Sequence, residues 1–309
     1  MSRRGRVVEM LKAGQTRLIA AFEALDDTTR FGSHPWERPG GGGGTARVLE
    51  DGGVLERAGI NFSAVHGDAV PPSLAKTHPG SDGQPYFATG VSMVIHPRNP
   101  YAPAFHANYR YFEVGDEAAP LMWWFGGGAD LTPNYPFEDD VRGFHRTLKA
   151  QCDRHPVGDY GTLKRTCDDY FTIKHRREMR GVGGIFFDEL SPAGQSDFET
   201  DFAFVTDGVR TIEDAYLPIL KRRKDTPYGE REREWQLLRR GRYAEFNLVY
   251  DRGTTFGLQT GGHIEAILMS LPPYAHWAFD HRPEPGTKEA EMLAFLQPRD
   301  WAGAPEPVG

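Results

Sequence analysis

The stretch from Val91 to Phe112, VSMVIHPRNPYAPAFHANYRYF, constrains this chain more than any other. It alternates twice, with prolines between the two runs. Val91, Met93 and Ile95 fall on one side of an extended segment, and Ser92, Val94 and His96 on the other. Pro97, Pro100 and Pro103 cannot donate to a ladder and mark a loop. From Ala104 the alternation resumes. His106, Asn108 and Arg110 share one face, and Phe105, Ala107, Tyr109 and Tyr111 share the opposite one. The pattern predicts two neighbouring strands with one apolar face. The other face carries two histidines, an amide, a hydroxyl and a guanidinium, which describes either a solvated surface or a polar pocket. A pocket of that kind suits an acidic ligand, because arginine grips a carboxylate with two parallel hydrogen bonds.

The 309 residues, 39% of them hydrophobic, suffice for one sizeable domain or two small ones. No apolar run approaches the roughly 18 residues of a membrane span. The basic start, MSRRGRVVEM, lacks the apolar centre of a signal peptide. Only Cys152 and Cys167 occur, which fits a reducing cytoplasm better than a disulfide framework. The net charge of -7 argues against a general nucleic-acid binder, and an anionic ligand would need locally gathered arginines.

Val8, Leu11, Leu18, Phe22 and Leu25 form the apolar stripe of a first helix that leads into Asp26 and Asp27. The five glycines Gly40–Gly44 follow PWERP, with neither the Lys-Ser/Thr of a phosphate loop nor a preceding G-x-G-x-x-G strand. A flexible loop or lid is expected there. NFSAVHG, 61–67, predicts a strand entering a turn, with His66 structural. MWWFGGGADLTPNYPF, 122–137, predicts a buried strand whose glycines admit close backbone approach. Asp130 lies just beyond them, as a turn residue or an acceptor for ligand N–H groups.

Phe137, Val141, Phe144, Leu148 and Cys152 make the stripe of another helix, with His145 at its margin. Cys167, Phe171, His175 and Met179 recur at helical spacing and predict a further helix with His175 inside its buried stripe. Arg176 and Arg180 pair at i, i+4 beside it, as a solvated basic face or a carboxylate clamp. GVGGIFFDEL, 181–190, predicts a buried strand after a glycine turn. A long helix from about Asp197 to Lys224 follows, with a basic end, and then a charged surface connection over 225–235. Tyr243–Tyr250 alternates, Asp251-Arg252-Gly253 predicts a turn, and Thr254–Thr260 a returning strand.

Taken together, VSMVIHPRNPYAPAFHANYRYF, WWFGGGADLTPNY, KHRREMRGVGGIFFDEL and RGRYAEFNLVYDRGTTFGLQTGG resemble the oxygen-dependent coproporphyrinogen III oxidase family. PWERPGGGGG and NFSAVHG extend the likeness over nearly the whole chain. The resemblance implies an α+β fold: one domain over 1–309 with a large, rather flat antiparallel sheet flanked by helices on both faces. It implies a cytoplasmic homodimeric enzyme of haem biosynthesis without stable membrane insertion. Two propionates of coproporphyrinogen III become vinyl groups, giving protoporphyrinogen IX. O2 is the co-substrate, CO2 and H2O2 leave, and no organic cofactor takes part.

The resemblance also implies roles at matching positions. Ser92, Asn108, Tyr109 and Arg110 bind substrate, His106 donates a proton, and Asp130 holds the pyrrole N–H groups. Arg176 and Arg180 meet the propionates. His96, His106, His145 and His175 form a divalent-metal site, with Mn2+ plausible. Residues 243 to about 278 mediate dimerisation, and Gly261 and Gly262 touch substrate. The family carries Arg after those glycines where this chain has His263, so His263→Arg is expected to lower KM. Two other classes fit the same residues: a tetrapyrrole-binding protein without the chemistry, and a histidine-ligated metal oxygenase acting on another acidic substrate.

Overall fold

The computed structural model describes residues 1–190, 196–259 and 262–303. Helix α1 (Arg3–Glu23) is capped by the Ser2 hydroxyl, which accepts from the Gly5 amide. Strands β1 (Gly32–Glu37), β2 (Gly42–Glu50) and β3 (Leu55–Gly67) follow, then the short α2 (Pro72–Ala75). Three long strands come next: β4 (Tyr86–Pro97), β5 (Ala104–Asp116) and β6 (Ala119–Thr132). Helices α3 (Glu138–Asp153) and α4 (Tyr160–Tyr170) lead to a two-stranded ribbon, β7 (Thr172–Ile173) with β8 (Glu178–Met179). Strand β9 (Gly183–Phe187) precedes α5 (Phe198–Arg223), α6 (Glu230–Val249), α7 (Arg252–Gln259), α8 (Ile264–Leu268) and α9 (Lys288–Phe295).

The main sheet has seven strands in the order β1-β2-β3-β4-β5-β6-β9, every neighbouring pair antiparallel. The fold is α+β, as the resemblance implies. The alternation in 104–112 is realised residue for residue. Phe105, Ala107, Tyr109 and Tyr111 are buried, while His106, Asn108 and Arg110 are half-buried. The apolar face packs against α1, α3 and α5, where Phe105 stacks on Tyr216 and lies edge-on to Phe144. Each aromatic ring buried in that layer contributes about 1.5–3 kcal/mol. On the opposite face, Val94 packs with Tyr243 of α6 and with Met269, just after α8, so helices lie on both sides.

Three expected elements differ. The glycine-rich segment is a hairpin rather than a loop. Gly41 and Gly42 take positive φ at the turn, and Gly42–Gly44 enter β2 paired with β3. Residues 172–179 are the β7–β8 ribbon, not a continued helix. Chain reversal brings the Arg180 amide back to the Phe171 carbonyl, and Arg177 sits at φ 58° in the tip. Residues 230–259 are helical, not a charged connection and two strands. The buried set Trp235, Leu238, Tyr243, Phe246 and Asn247 follows the helical period. A short alternation within a run of strong helix formers does not override that period. The long helix and its Asp197 cap, by contrast, fall where the sequence places them.

Candidate active site

Residues directly opposite in a sheet share a face, so the strand register lays out the polar side in rows. One row runs Trp36, Gly44, Ser63, Gly90, Arg110, Gly126. The next runs Ala46, Asn61, Ser92, Asn108, Gly128. A third runs Gly59, Val94, His106, Asp130, Gly184. The middle of this face is a bed of small side chains several strands wide, at about 4.8 Å per strand. Its two ends differ in charge and in burial.

At one end Asp130 is 2% exposed. Its Oδ1 accepts from His106 Nδ1 at 2.7 Å and its Oδ2 from Arg180 Nη2 at 2.7 Å. Burial pushes the Asp130 carboxyl up, but Arg180 and the His106 hydrogen bond outweigh it and hold the pKa below the usual range. An ionised carboxylate only accepts, so His106 must carry its proton on Nδ1 and turn Nε2 toward the cleft. Arg180 is 2% exposed and lies over the rings of Phe171, Tyr243 and Phe246 at 4.3, 4.4 and 5.0 Å. Its Nη1 donates to Asn247 Oδ1 at 2.7 Å. Burial alone would lower its pKa, but Asp130 and the Tyr243 phenol raise it.

At the other end the groups are open. Arg110 donates to Asn108 Oδ1 at 3.0 Å and to Asp188 Oδ1 at 2.9 Å. Arg252 donates to Asp188 Oδ2 at 2.6 Å, with its guanidinium over Tyr170 at 4.6 Å. The Tyr170 hydroxyl in turn donates to Asp251, whose carboxylate also caps α7 through Thr254. Gly126 permits this packing: a Cβ there would lie 2.5 Å from the Asp188 carbonyl and 2.7 Å from the Arg110 guanidinium. Sequence reasoning missed Arg252, Asp188, Asp251 and Tyr170. From the sequence the DRG triplet reads as a turn, and Asp188 reads as the end of a buried strand.

The expected site residues separate into those the fold gathers and those it does not. Ser92, Asn108, Arg110, His106 and Asp130 share the polar face. Tyr109 does not. Alternation points it into the apolar layer, 1% exposed, against Gly208 of α5. Arg176 and Arg180 are not brought together: the ribbon gives them separate partners, Glu245 for Arg176 and Asp130 with Asn247 for Arg180. Arg176 is exposed and bidentate to Glu245 at 2.7 and 2.9 Å.

The four-histidine metal centre is not assembled, and these residues do not fit a shared ion. His145 lies on α3 beneath the apolar face, Nδ1 at Tyr160 and Nε2 at the Val182 carbonyl. His96 Nε2 donates to the Ser270 carbonyl at 3.0 Å. His175, at the ribbon tip, contacts Tyr250 and Glu245. Among the described residues no group of three or more His, Cys, Asp or Glu side chains is arranged to hold a metal ion. His263 caps α8 by accepting from the Ala266 amide and stacks on Trp36 at the far rim of the small-residue bed. Gly262 donates to the Gly257 carbonyl, and Gly261 lies outside the described residues.

The polar face thus carries a bed of small side chains with open guanidiniums at one end and a buried histidine–carboxylate pair at the other. A family model for coproporphyrinogen III oxidase matches residues 6–301, and the chain belongs to that family. Its role lies in porphyrin and haem biosynthesis, as an oxidative decarboxylase. Among the described residues no helix is long and apolar enough to cross a membrane.

Proposed function

We propose that this protein is the oxygen-dependent form of the enzyme, converting two propionates of coproporphyrinogen III to vinyl groups. The observation that carries the proposal is the bed of Gly44, Ser63, Gly90, Ser92 and Asn108, bounded by guanidiniums at one end and by the His106–Asp130 pair at the other. A disc-shaped tetrapyrrole with peripheral carboxylates matches that layout. Each turnover step takes R–CH2–CH2–COO⁻, O2 and H⁺ to R–CH=CH2, CO2 and H2O2. The two electrons come from the substrate, and no organic cofactor enters the balance.

Within this scheme Arg110 and Arg252 hold peripheral carboxylates. Ser92 and Asn108 contact the ring. His106 exchanges a proton at Nε2 while Asp130 fixes its tautomer, the arrangement that makes imidazole an effective acid–base group. Both Asp130 oxygens already have protein donors, so its contribution to pyrrole N–H groups is limited to the remaining lone pairs.

The exposed apolar side chains Leu248, Val249, Leu258, Ile264, Tyr274 and Trp277 support a homodimer through residues 243–278. Two buried free thiols support a cytoplasmic location, and a family match over nearly the whole chain supports one domain.

The test is aerobic incubation of the purified protein with coproporphyrinogen III, read as protoporphyrin fluorescence after oxidation, with anaerobic and chelated arms. Oxygen-dependent product that survives chelation is expected. Product that forms equally without oxygen would overturn the oxygen-dependent assignment, and product abolished by a chelator and restored by a divalent ion would reinstate a metal requirement.

A further inference from the structure

We propose that Asp188 is a built-in surrogate for a ligand carboxylate, displaced when the anionic ligand enters. The inference deepens the function proposed above and rests on it. Arg110 and Arg252 come from elements far apart in the chain, β5 and α7, and both guanidiniums point at the open end of the polar face. Two like charges converging there would repel. Asp188 sits between them and gives one oxygen to each, Oδ1 to Arg110 and Oδ2 to Arg252. That bridging position is where a ligand carboxylate would make the same two bonds.

Exposure separates this bridge from a structural ion pair. The Asp188 side chain is 47% exposed, and those of Arg110 and Arg252 are 36% and 64%. Exposed ion pairs are weak and exchange readily for water or another anion. The buried carboxylate at the other end, Asp130, is 2% exposed and has no such freedom. Asp188 therefore holds the two guanidiniums converged in the free protein and competes with the ligand for them. It sets affinity and release rather than the chemical step.

The experiment titrates coproporphyrin III, the air-stable tetracarboxylate, into wild-type protein, Asp188→Asn and Asp188→Ala, with fluorescence as the readout. The tetramethyl ester of the same porphyrin is the control without free carboxylates. Both variants are expected to bind the tetracarboxylate about two- to fivefold more tightly than wild type, the range an exposed ion pair supplies. The ester should gain nothing, and an Arg252→Gln background should erase most of the gain.

Unchanged or weaker binding in both variants, with unfolding transitions like that of the wild type, would overturn the surrogate role and leave Asp188 as an aligning residue only. Tighter binding of the ester as well would also overturn it, since the effect would not involve carboxylates. Wild-type protein that neither binds the tetracarboxylate nor turns over coproporphyrinogen III would instead refute the parent function, and this proposal with it.

Discussion

The two ends of the polar face use the same chemistry, carboxylate against guanidinium, in opposite surroundings. Asp130 and Arg180 are both 2% exposed, walled by three aromatic rings, and every charge has a fixed partner. Asp188, Arg110 and Arg252 make contacts of similar length but stand a third to two thirds exposed. In the buried pair, removing one member strands a charge away from water, so the pair is rigid and suited to holding His106. In the exposed trio, water screens each bond, so partners can be exchanged for a ligand. Burial, more than residue type, divides the fixed pair from the exchangeable one here.

The largest expected effect tests that division on stability. Arg180→Ala leaves Asp130 buried without its cation and should cost about 3–5 kcal/mol in urea unfolding. Arg252→Ala should cost about 1 kcal/mol or less by the same measurement. Comparable losses in the two variants would erase the distinction.

A second prediction extends it to pH. His96 is fully buried beside the cationic Arg240, and burial first, then that charge, push its imidazole down to about 3. The unfolded chain binds a proton near pH 6.5 that the folded chain refuses. Stability is therefore complete above that pH and falls as pH drops from 6.5 toward 3. Between pH 7 and pH 5 His96 should account for about 2 kcal/mol of lost stability. His96→Asn should remove that share of the slope, while His145, also buried and held neutral, keeps its own. An unchanged slope in the variant would count against the buried neutral ring.

The smallest effect concerns the rim. His263 is exposed and caps a five-residue helix. His263→Arg adds a permanent cation at the edge of the bed and should lower the KM for coproporphyrinogen III by about two- to threefold. The lost cap should cost about 1 kcal/mol. An unchanged or raised KM would mean that this edge does not meet a carboxylate.

How far the sequence reveals these features depends on the range of the interactions that create them. The face carrying Ser92, His106, Asn108 and Arg110 was legible because strand alternation has a period of two and the run is long. The α5 cap at Asp197 was legible because capping is local. Asp188 was not, because its partners lie 78 residues before it and 64 after it. The β7–β8 ribbon was missed because Cys167 and Phe171 do share a helical face before the chain reverses, and nothing in the spacing marks the reversal. The four histidines are not gathered, for a related reason: their presence in one chain says nothing about which side of the sheet each occupies. His145 sits behind the apolar layer, and His106 lies in front of it.

The proposed function assigns chemistry to the buried end and binding to the open end. Steady-state kinetics with coproporphyrinogen III on Asp130→Asn and Arg252→Gln tests it most directly. Asp130→Asn should lower kcat by about 100-fold or more, with KM near the wild-type value, because His106 loses its fixed tautomer. Arg252→Gln should raise KM by about tenfold with kcat largely retained, the loss expected for one charged hydrogen bond to a ligand carboxylate. The same parameter moving in both variants, or near-normal turnover in Asp130→Asn, would contradict the account.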